Sequence, residues 1–134
     1  MPTRNNPVKS YRDLVVWQRG MELVIQVYRS TRLFPKEEQY GLTSQICRAA
    51  VSVPSNIAEG HGRGSTGEFK QFLHISRASL YELQTQLEIA KRLDLIGQQE
   101  AIDLIRKSDE IGMMLNGLLA RLNIRIQASL APNP

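Results

Sequence analysis

The sequence predicts an all-α protein, an antiparallel up-down-up-down four-helix bundle with a proline-kinked second helix. Three observations carry this prediction. Apolar residues recur every three or four positions in four segments, which is the period of an amphipathic helix. No segment alternates apolar and polar residues in the way a half-buried strand does. Short connections join the four segments, and such connections make sequential helices antiparallel neighbours.

The first predicted helix covers residues 13–32 and ends before Pro35. It is apolar on two sides, whereas a helix of a monomeric bundle needs one apolar stripe. The side assigned to the bundle core holds Leu14, Trp17, Met21, Val24, Ile25 and Tyr28. Val16, Leu23 and Val27 lie nearly opposite, with Gly20 at the same edge. An aligned apolar row facing water marks an interface, so this second row predicts the subunit contact of a homo-oligomer.

The second predicted helix covers residues 36–59, is loosened at Gly41 and carries Pro54 in its interior. Its core face holds Leu42, Ile46, Ala49, Val53 and Ile57. A proline inside a helix removes a backbone hydrogen bond and crowds the carbonyl four residues back, here Ala50, at a cost of ~3 kcal/mol. We therefore expect a kink between Ala50 and Pro54. Asn56 and Glu59 are expected to satisfy polar backbone groups there and in the following loop, rather than to act on a substrate.

The third helix is predicted to begin at a capping box in which Ser65 is the N-cap and Glu68 reaches back. Its predicted core face holds Phe69, Phe72, Ser76, Leu80, Leu83, Leu87 and Ala90. The fourth helix begins near Gly97. Its apolar stripe consists of Leu104, Ile111, Leu115, Leu118, Leu119, Leu122 and Ile126.

A chain of 134 residues fits one domain. We expect a flexible arm over residues 1–10, the bundle over residues 11–128 and a flexible tail over residues 129–134. The single cysteine, Cys47, excludes a disulfide framework and fits a reducing compartment. The sequence shows neither a signal-peptide pattern nor an apolar run long enough to span a membrane, so a cytoplasmic protein is expected.

The residue types needed for catalysis or metal binding do not occur together. His61 and His74 are thirteen residues apart, with no Glu-x-x-His pair and no second cysteine. Cys47 has no histidine at helical spacing, so it is interpreted as a structural thiol. The run "GHGRGSTG" lacks both the preceding strand and the Gly-Lys-Ser/Thr ending of phosphate-binding loops. We therefore expect no enzyme activity, no metal and no cofactor.

Three stretches carry a family resemblance: "YRDLVVWQRGMEL", "FPKEEQYGLTSQICRAAVSVPSNIAEGHGRGS" and "EFKQFLHISRASLYELQTQLEIAKRL". Over residues 11–122 the chain resembles the four-helix-bundle family of 23S rRNA intervening-sequence proteins. The resemblance implies a short bundle that assembles as a ring, typically a pentamer. A related group, the accessory proteins of diversity-generating retroelements, binds nucleic acid and a reverse transcriptase. Where the family usually has paired arginines and a glycine, this chain has Cys47-Arg48 and Ala78.

A basic stripe, defined by Arg63, Lys70, Arg77 and Lys91, recurs at multiples of seven residues. Gln84 fills the gap in this spacing, and Tyr81 lies on the same helix face. Such a row could follow a phosphate backbone while Tyr81 stacks on a base. Alternatively, the stripe is a solvated helix face that Glu88 partly neutralises. The net charge of +4, with six basic and two acidic residues in residues 1–33, is compatible with an anionic partner.

Two hypotheses for function follow from these observations. The first is a non-enzymatic, ring-forming bundle that binds RNA or DNA through basic helix faces, with a protein partner beside it. The alternative is a structural or protein-interaction scaffold whose basic residues only keep it soluble. Salt-dependent binding of RNA separates the two, because a protein that neutralises several phosphates loses affinity steeply as salt rises.

Overall fold

The computed structural model of the protein describes residues 7–130, and within them it contains four α-helices and no strand. The helices are α1 (Val15–Thr31), α2 (Leu42–Gly62), α3 (Thr66–Arg92) and α4 (Gln98–Leu130). Single turns of 3-10 helix, Tyr11–Asp13 and Lys36–Glu38, precede α1 and α2. The all-α four-helix fold predicted from the sequence is therefore confirmed. Of the predicted arm and tail, residues 1–6 and 131–134 lie outside the described residues.

Each helix packs on the next one in sequence, and α1 also packs on α4, so the four helices enclose one core. The contact between α2 and α3 is the most extensive. Along it, Ser52 Oγ lies 2.8 Å from Ser79 Oγ, whereas Gly60 lies against Phe72. Later residues of α2 thus meet earlier residues of α3, which is the order that antiparallel neighbours require.

The two faces of α1 are the reverse of the prediction. Val16, Leu23 and Val27, which we had assigned to a subunit contact, lie in the core of this same chain with 6%, 2% and 0% of their surface exposed. Met21, Ile25 and Tyr28, which had been assigned to the core, are exposed instead. Trp17 and Val24 lie between the two faces and are partly buried. The predicted oligomer contact at these three core residues is therefore wrong, because no second chain can reach them.

The α2 helix begins later than predicted, since Gly41 separates it from the Lys36–Glu38 turn and occupies its N-cap position. From Leu42 the helix continues without interruption past Pro54, and the predicted kink stays a prediction. The predicted core residues Ile46, Ala49, Val53 and Ile57 are buried, and Ala50, Pro54 and Gly60 join them. Asn56 donates its side-chain amide to the Ser52 carbonyl at 2.8 Å, which is the backbone role expected of it.

The predicted start of α3 is confirmed, because Ser65 is its N-cap and accepts a hydrogen bond from the Glu68 amide. Leu73, which the prediction omitted, is fully buried, whereas Phe69 and Phe72 are only partly buried.

The core face of α4 follows the predicted stripe from Leu104 to Leu122, with Ala101 and Ser108 added. At 33 residues α4 is much longer than α1, which has 17. No helix among residues 7–130 has the length and apolar character needed to cross a membrane.

Candidate nucleic-acid interface

The middle of the predicted basic stripe lies along the boundary between α3 and α4. Two of its positions bond directly to α4: Arg77 donates to Asn116 Oδ1 at 2.8 Å, and Gln84 donates to Asp109 Oδ1 at 2.8 Å. Gln84 also donates to Ser108 Oγ at 2.8 Å. Residues at a spacing of seven lie on one side of a helix, and here that side is the edge of α3 next to α4. Arg77 and Gln84 are therefore held in place by a neighbouring helix.

The section of the stripe around Arg77 is the best organised. Besides its bond to Asn116, the Arg77 guanidinium lies 2.9 Å from His74 Nδ1, one turn earlier on α3. Lys70 precedes His74 by one further turn. Within the described part of the chain, neither Lys70 nor Arg77 forms an ion pair with a carboxylate. This section therefore carries two uncompensated positive charges, one of which has a fixed orientation.

The pKa of His74 reflects this surrounding. It lies below the ordinary value of 6.5, first because the ring is partly removed from water and then because Arg77 and Lys70 repel an added proton. His74 is consequently neutral at physiological pH, and its Nδ1 can accept the hydrogen bond from Arg77. A phosphate bound here would offset the positive charges of Arg77 and Lys70. Protonation of His74 would then be less disfavoured.

The other end of the stripe is neutralised. Lys91 Nζ lies 3.4 Å from a Glu88 carboxylate oxygen, and Arg92 Nε bonds the other oxygen at 3.1 Å. The hydrogen bond from Arg92, followed by the one from Lys91, lowers the pKa of Glu88, so this carboxylate stays charged at neutral pH. The expectation that Glu88 partly neutralises the stripe therefore holds at Lys91 and does not extend to Arg77.

Arg63 stands apart from the other three residues. It is the C-cap residue of α2 and precedes the first residue of α3. Its guanidinium pairs with Glu59 at 2.8 Å and lies over the Phe72 ring, 5.0 Å from the centroid. Glu59 thus binds a side chain and not the backbone groups expected of it. The sequence spacing places Arg63 in the row, but its charge is compensated by Glu59.

Two exposed side chains next to the Lys70–Arg77 section are suited to contact bases. Tyr81, one turn after Arg77, has 48% of its surface exposed, and Met113, one turn before Asn116, has 72% exposed. The sequence spacing indicates Tyr81 but neither Met113 nor Asn116. Nothing local to α4 distinguishes these two residues; only the pairing of α4 with α3 brings them to the stripe.

The arginines of the first segment do not extend this surface into one continuous patch. Arg12 lies over the rings of Tyr11 and Trp17, and Arg19 pairs with Glu22 at 3.6 Å. Arg29 and Arg32 are exposed near the end of α1.

No group of three or more His, Cys, Asp or Glu side chains among the described residues is placed to hold a metal ion.

Comparisons with known proteins bear on family and fold. The family model described as 23S rRNA-intervening sequence protein matches residues 12–117. A crystal structure of a protein with unknown function from the S23 ribosomal protein family of Bacteroides thetaiotaomicron VPI-5482 is similar, with a TM-score of 0.72 and 22% sequence identity. The similarity covers 78% of this chain and 97% of that chain, and at this identity it supports the fold alone. No curated protein matches this chain.

Proposed function

Because the chain belongs to the family of 23S rRNA-intervening sequence proteins, we propose that it is a non-enzymatic, ring-forming bundle that binds RNA or DNA. The observation that carries this proposal is the Lys70–Arg77 section, where two positive charges lack carboxylate partners among the described residues. Phosphates would bind to Lys70 and Arg77, and an unpaired base would stack on Tyr81. Such stacking requires splayed bases, so single-stranded nucleic acid is the expected ligand.

The proposed ring is cytoplasmic and needs a contact between copies, and the exposed side of α1 supplies a candidate. Met21, Ile25 and Tyr28 follow at spacings of four and three, and 39%, 47% and 47% of their surfaces are exposed. We place the subunit contact on this row in the oligomer. A ring of five subunits follows from the family resemblance and not from the row itself.

A scaffold without a nucleic-acid role is the alternative, and two observations favour it. Arg63 and Lys91, the two ends of the stripe, are both paired with carboxylates. If Lys70 and Arg77 only keep the protein soluble, the protein would bind other proteins and no nucleic acid. It would do so through faces such as the exposed row of α1. Measuring the salt dependence of RNA binding separates the two proposals.

The test uses the full chain and an unstructured single-stranded RNA. We expect binding at low salt that weakens steeply as salt rises, and charge reversal by Lys70→Glu and Arg77→Glu should abolish it. In the milder variant Lys70→Gln with Arg77→Gln, whose binding should stay measurable, the loss of two phosphate contacts should make log K fall less steeply with log salt, by roughly 1.4 in the slope for a single strand. The control is Arg19→Glu with Lys36→Glu, which makes the same change in net charge at exposed residues of α1 and of the turn before α2, outside α3 and α4.

Two outcomes would contradict nucleic-acid binding at this site. One is a wild type that does not bind RNA at low ionic strength. The other is a control pair that loses as much affinity as the Lys70 and Arg77 pair, because net charge alone would then explain the binding. Retained helical circular dichroism and unchanged particle mass in both variants are needed to exclude a loss of fold or assembly.

A further inference from the structure

A cavity of about 370 Å³ lies at the end of the bundle where α2 ends and α3 begins. Four parts of the chain line it: the segment before α1, the last turn of α2, the first turns of α3 and the last third of α4. Its volume lies at the lower end of the range for small-molecule sites. A ligand of about ten non-hydrogen atoms would therefore suit it better than a large cofactor.

The charged residues that line this cavity are all basic. Arg121 and Arg125, four residues apart on α4, border it, and His61 of α2 lies across from them. No Asp or Glu is among the described residues that line it. Neither arginine forms an ion pair with a carboxylate in the described part of the chain. The cavity is thus complementary to an anion.

A second cavity shows that this asymmetry is not general. The space of about 310 Å³ between α1 and α4 is bordered by two basic residues, Arg19 and Lys107, and by two acidic ones, Glu22 and Glu110. Its positive and negative charges balance, so it favours neither an anionic nor a cationic ligand. Only the first of these two cavities combines one sign of charge with an apolar wall.

The apolar wall comes from Leu118 and Leu122 of α4 and Phe69 of α3. The Phe69 ring is held edge-to-face by His61, with the ring centroids 5.5 Å apart. Ser65 and Thr66, at the start of α3, also border the cavity, and the first amides of a helix attract negative charge. The cavity therefore combines positive groups from α4 and the start of α3 with an apolar surface that the same two helices supply.

We propose that this cavity binds a medium-chain alkyl carboxylate. Its carboxylate would lie between Arg121 and Arg125, with which it can form charge-assisted hydrogen bonds. Its alkyl chain would cover Leu118, Leu122 and Phe69 and so bury apolar surface. The site is separate from the stripe on the boundary of α3 and α4, and the proposal does not depend on nucleic-acid binding.

Titration of the full chain with octanoate tests the proposal, with calorimetry for affinity and amide NMR shifts for location. We expect saturable binding that shifts the amides around Leu118, Leu122 and Phe69. Octanol and acetate, which each lack one half of the ligand, should bind at least tenfold more weakly. Arg121→Gln with Arg125→Gln should weaken octanoate at least tenfold, whereas Arg92→Gln with Arg106→Gln, the matched control, should not.

The proposal is overturned if octanoate does not bind, if octanol binds as tightly, or if the Arg121 and Arg125 variant retains wild-type affinity. Amide shifts confined to the exposed row of α1 would also overturn it. Octyl phosphate tests which anionic headgroup the cavity prefers. If it binds at least tenfold more tightly than octanoate, the assignment of a carboxylate is overturned. Both arginines are exposed, so their replacement is not expected to affect folding.

Discussion

Gly20 of α1 lies directly against Pro54 of α2, and a Cβ placed on Gly20 would stand 3.4 Å from Pro54 Cβ. Glycine and proline are the two residues that least favour a helix interior, and here they meet at one point of contact. A methyl group at position 20 would make ordinary van der Waals contact with the proline ring, so Gly20 marks where the two helices meet. Pro54 is therefore a packing residue as well as an interruption of the hydrogen bonds of α2.

This contact predicts the result of Pro54→Ala. Restoring the backbone hydrogen bond would by itself stabilise the helix by ~3 kcal/mol, but the lost ring leaves a void against Gly20. We expect a net gain well below that figure in urea unfolding. Gly20→Ala should be tolerated in the wild type as well as in the Pro54→Ala protein, because its methyl group would stand 3.4 Å from Pro54 Cβ, an atom that alanine keeps. A gain of the full ~3 kcal/mol in Pro54→Ala would show that the ring contributes nothing to the core.

Gly60 and Gly62 provide a matched pair within one helix. A Cβ on Gly60 would stand 2.5 Å from Phe72 Cβ, whereas a Cβ on Gly62 would meet nothing within 4 Å. Gly60→Ala should therefore destabilise the protein by ~1–3 kcal/mol through overpacking. Gly62→Ala should be neutral or stabilise by at most ~1 kcal/mol, because alanine favours a helix more than glycine does. Thermal melts that rank the two variants in the opposite order would contradict the packing of α2 on α3.

Assembly is expected to depend on the exposed row of α1. Met21 and Ile25 are already more than half buried, so covering the rest would contribute roughly half of the ~1.5–3 kcal/mol that complete burial of such a side chain is worth. Met21→Asp with Ile25→Asp would place two charges in the contact and should reduce the wild-type oligomer to a monomer. Leu33→Asp with Met113→Asp changes two apolar residues elsewhere that are more exposed still, and it should leave the oligomer intact. Light scattering gives the particle mass in each case. A wild type that is already a 15.2 kDa monomer at micromolar concentration would refute the proposed contact.

The pKa of His74 predicts how stability depends on pH. Because it lies below 6.5 in the folded protein, the unfolded chain takes up a proton more readily as the pH falls. The loss of stability caused by His74 is therefore absent above about pH 7. It grows as the pH falls from the ordinary histidine pKa of 6.5 towards the lower pKa that His74 has in the folded protein. His74→Gln removes this titration, so stability measured by urea unfolding should fall less between pH 7.5 and 5.5 than in the wild type. Equal losses in both proteins would show that the folded protein does not lower the pKa of His74.

The sequence predicted most where a helix has one apolar side. In α2 the spacing of Ile46, Val53 and Ile57 left one choice of core face, and the structure buries all three. In α1 both sides are apolar, and periodicity does not say which one faces inward. The two sides differ only in their tertiary contacts: the side that carries Gly20 and Leu23 packs inward, where Gly20 meets Pro54 of α2.

The same limit applies to the candidate site. The spacing of seven places Lys70 and Arg77 on one side of α3, and both lie there. It did not reveal that Asn116 orients Arg77, because the register between α3 and α4 depends on packing over the whole bundle. The cavity near Arg121 was missed for the same reason, since its lining comes from parts of the chain that are distant in sequence.

The unequal lengths of the helices predict a gradient of amide hydrogen exchange. At 1.5 Å per residue, the 33 residues of α4 extend about 50 Å, whereas the 17 residues of α1 extend about 26 Å. Beyond Leu122 most described side chains of α4 are exposed, so its last turns lack the packing that sustains helices in water. Their amides should exchange through local fraying, whereas those around Leu104 and Ile111 should exchange only when the whole bundle unfolds.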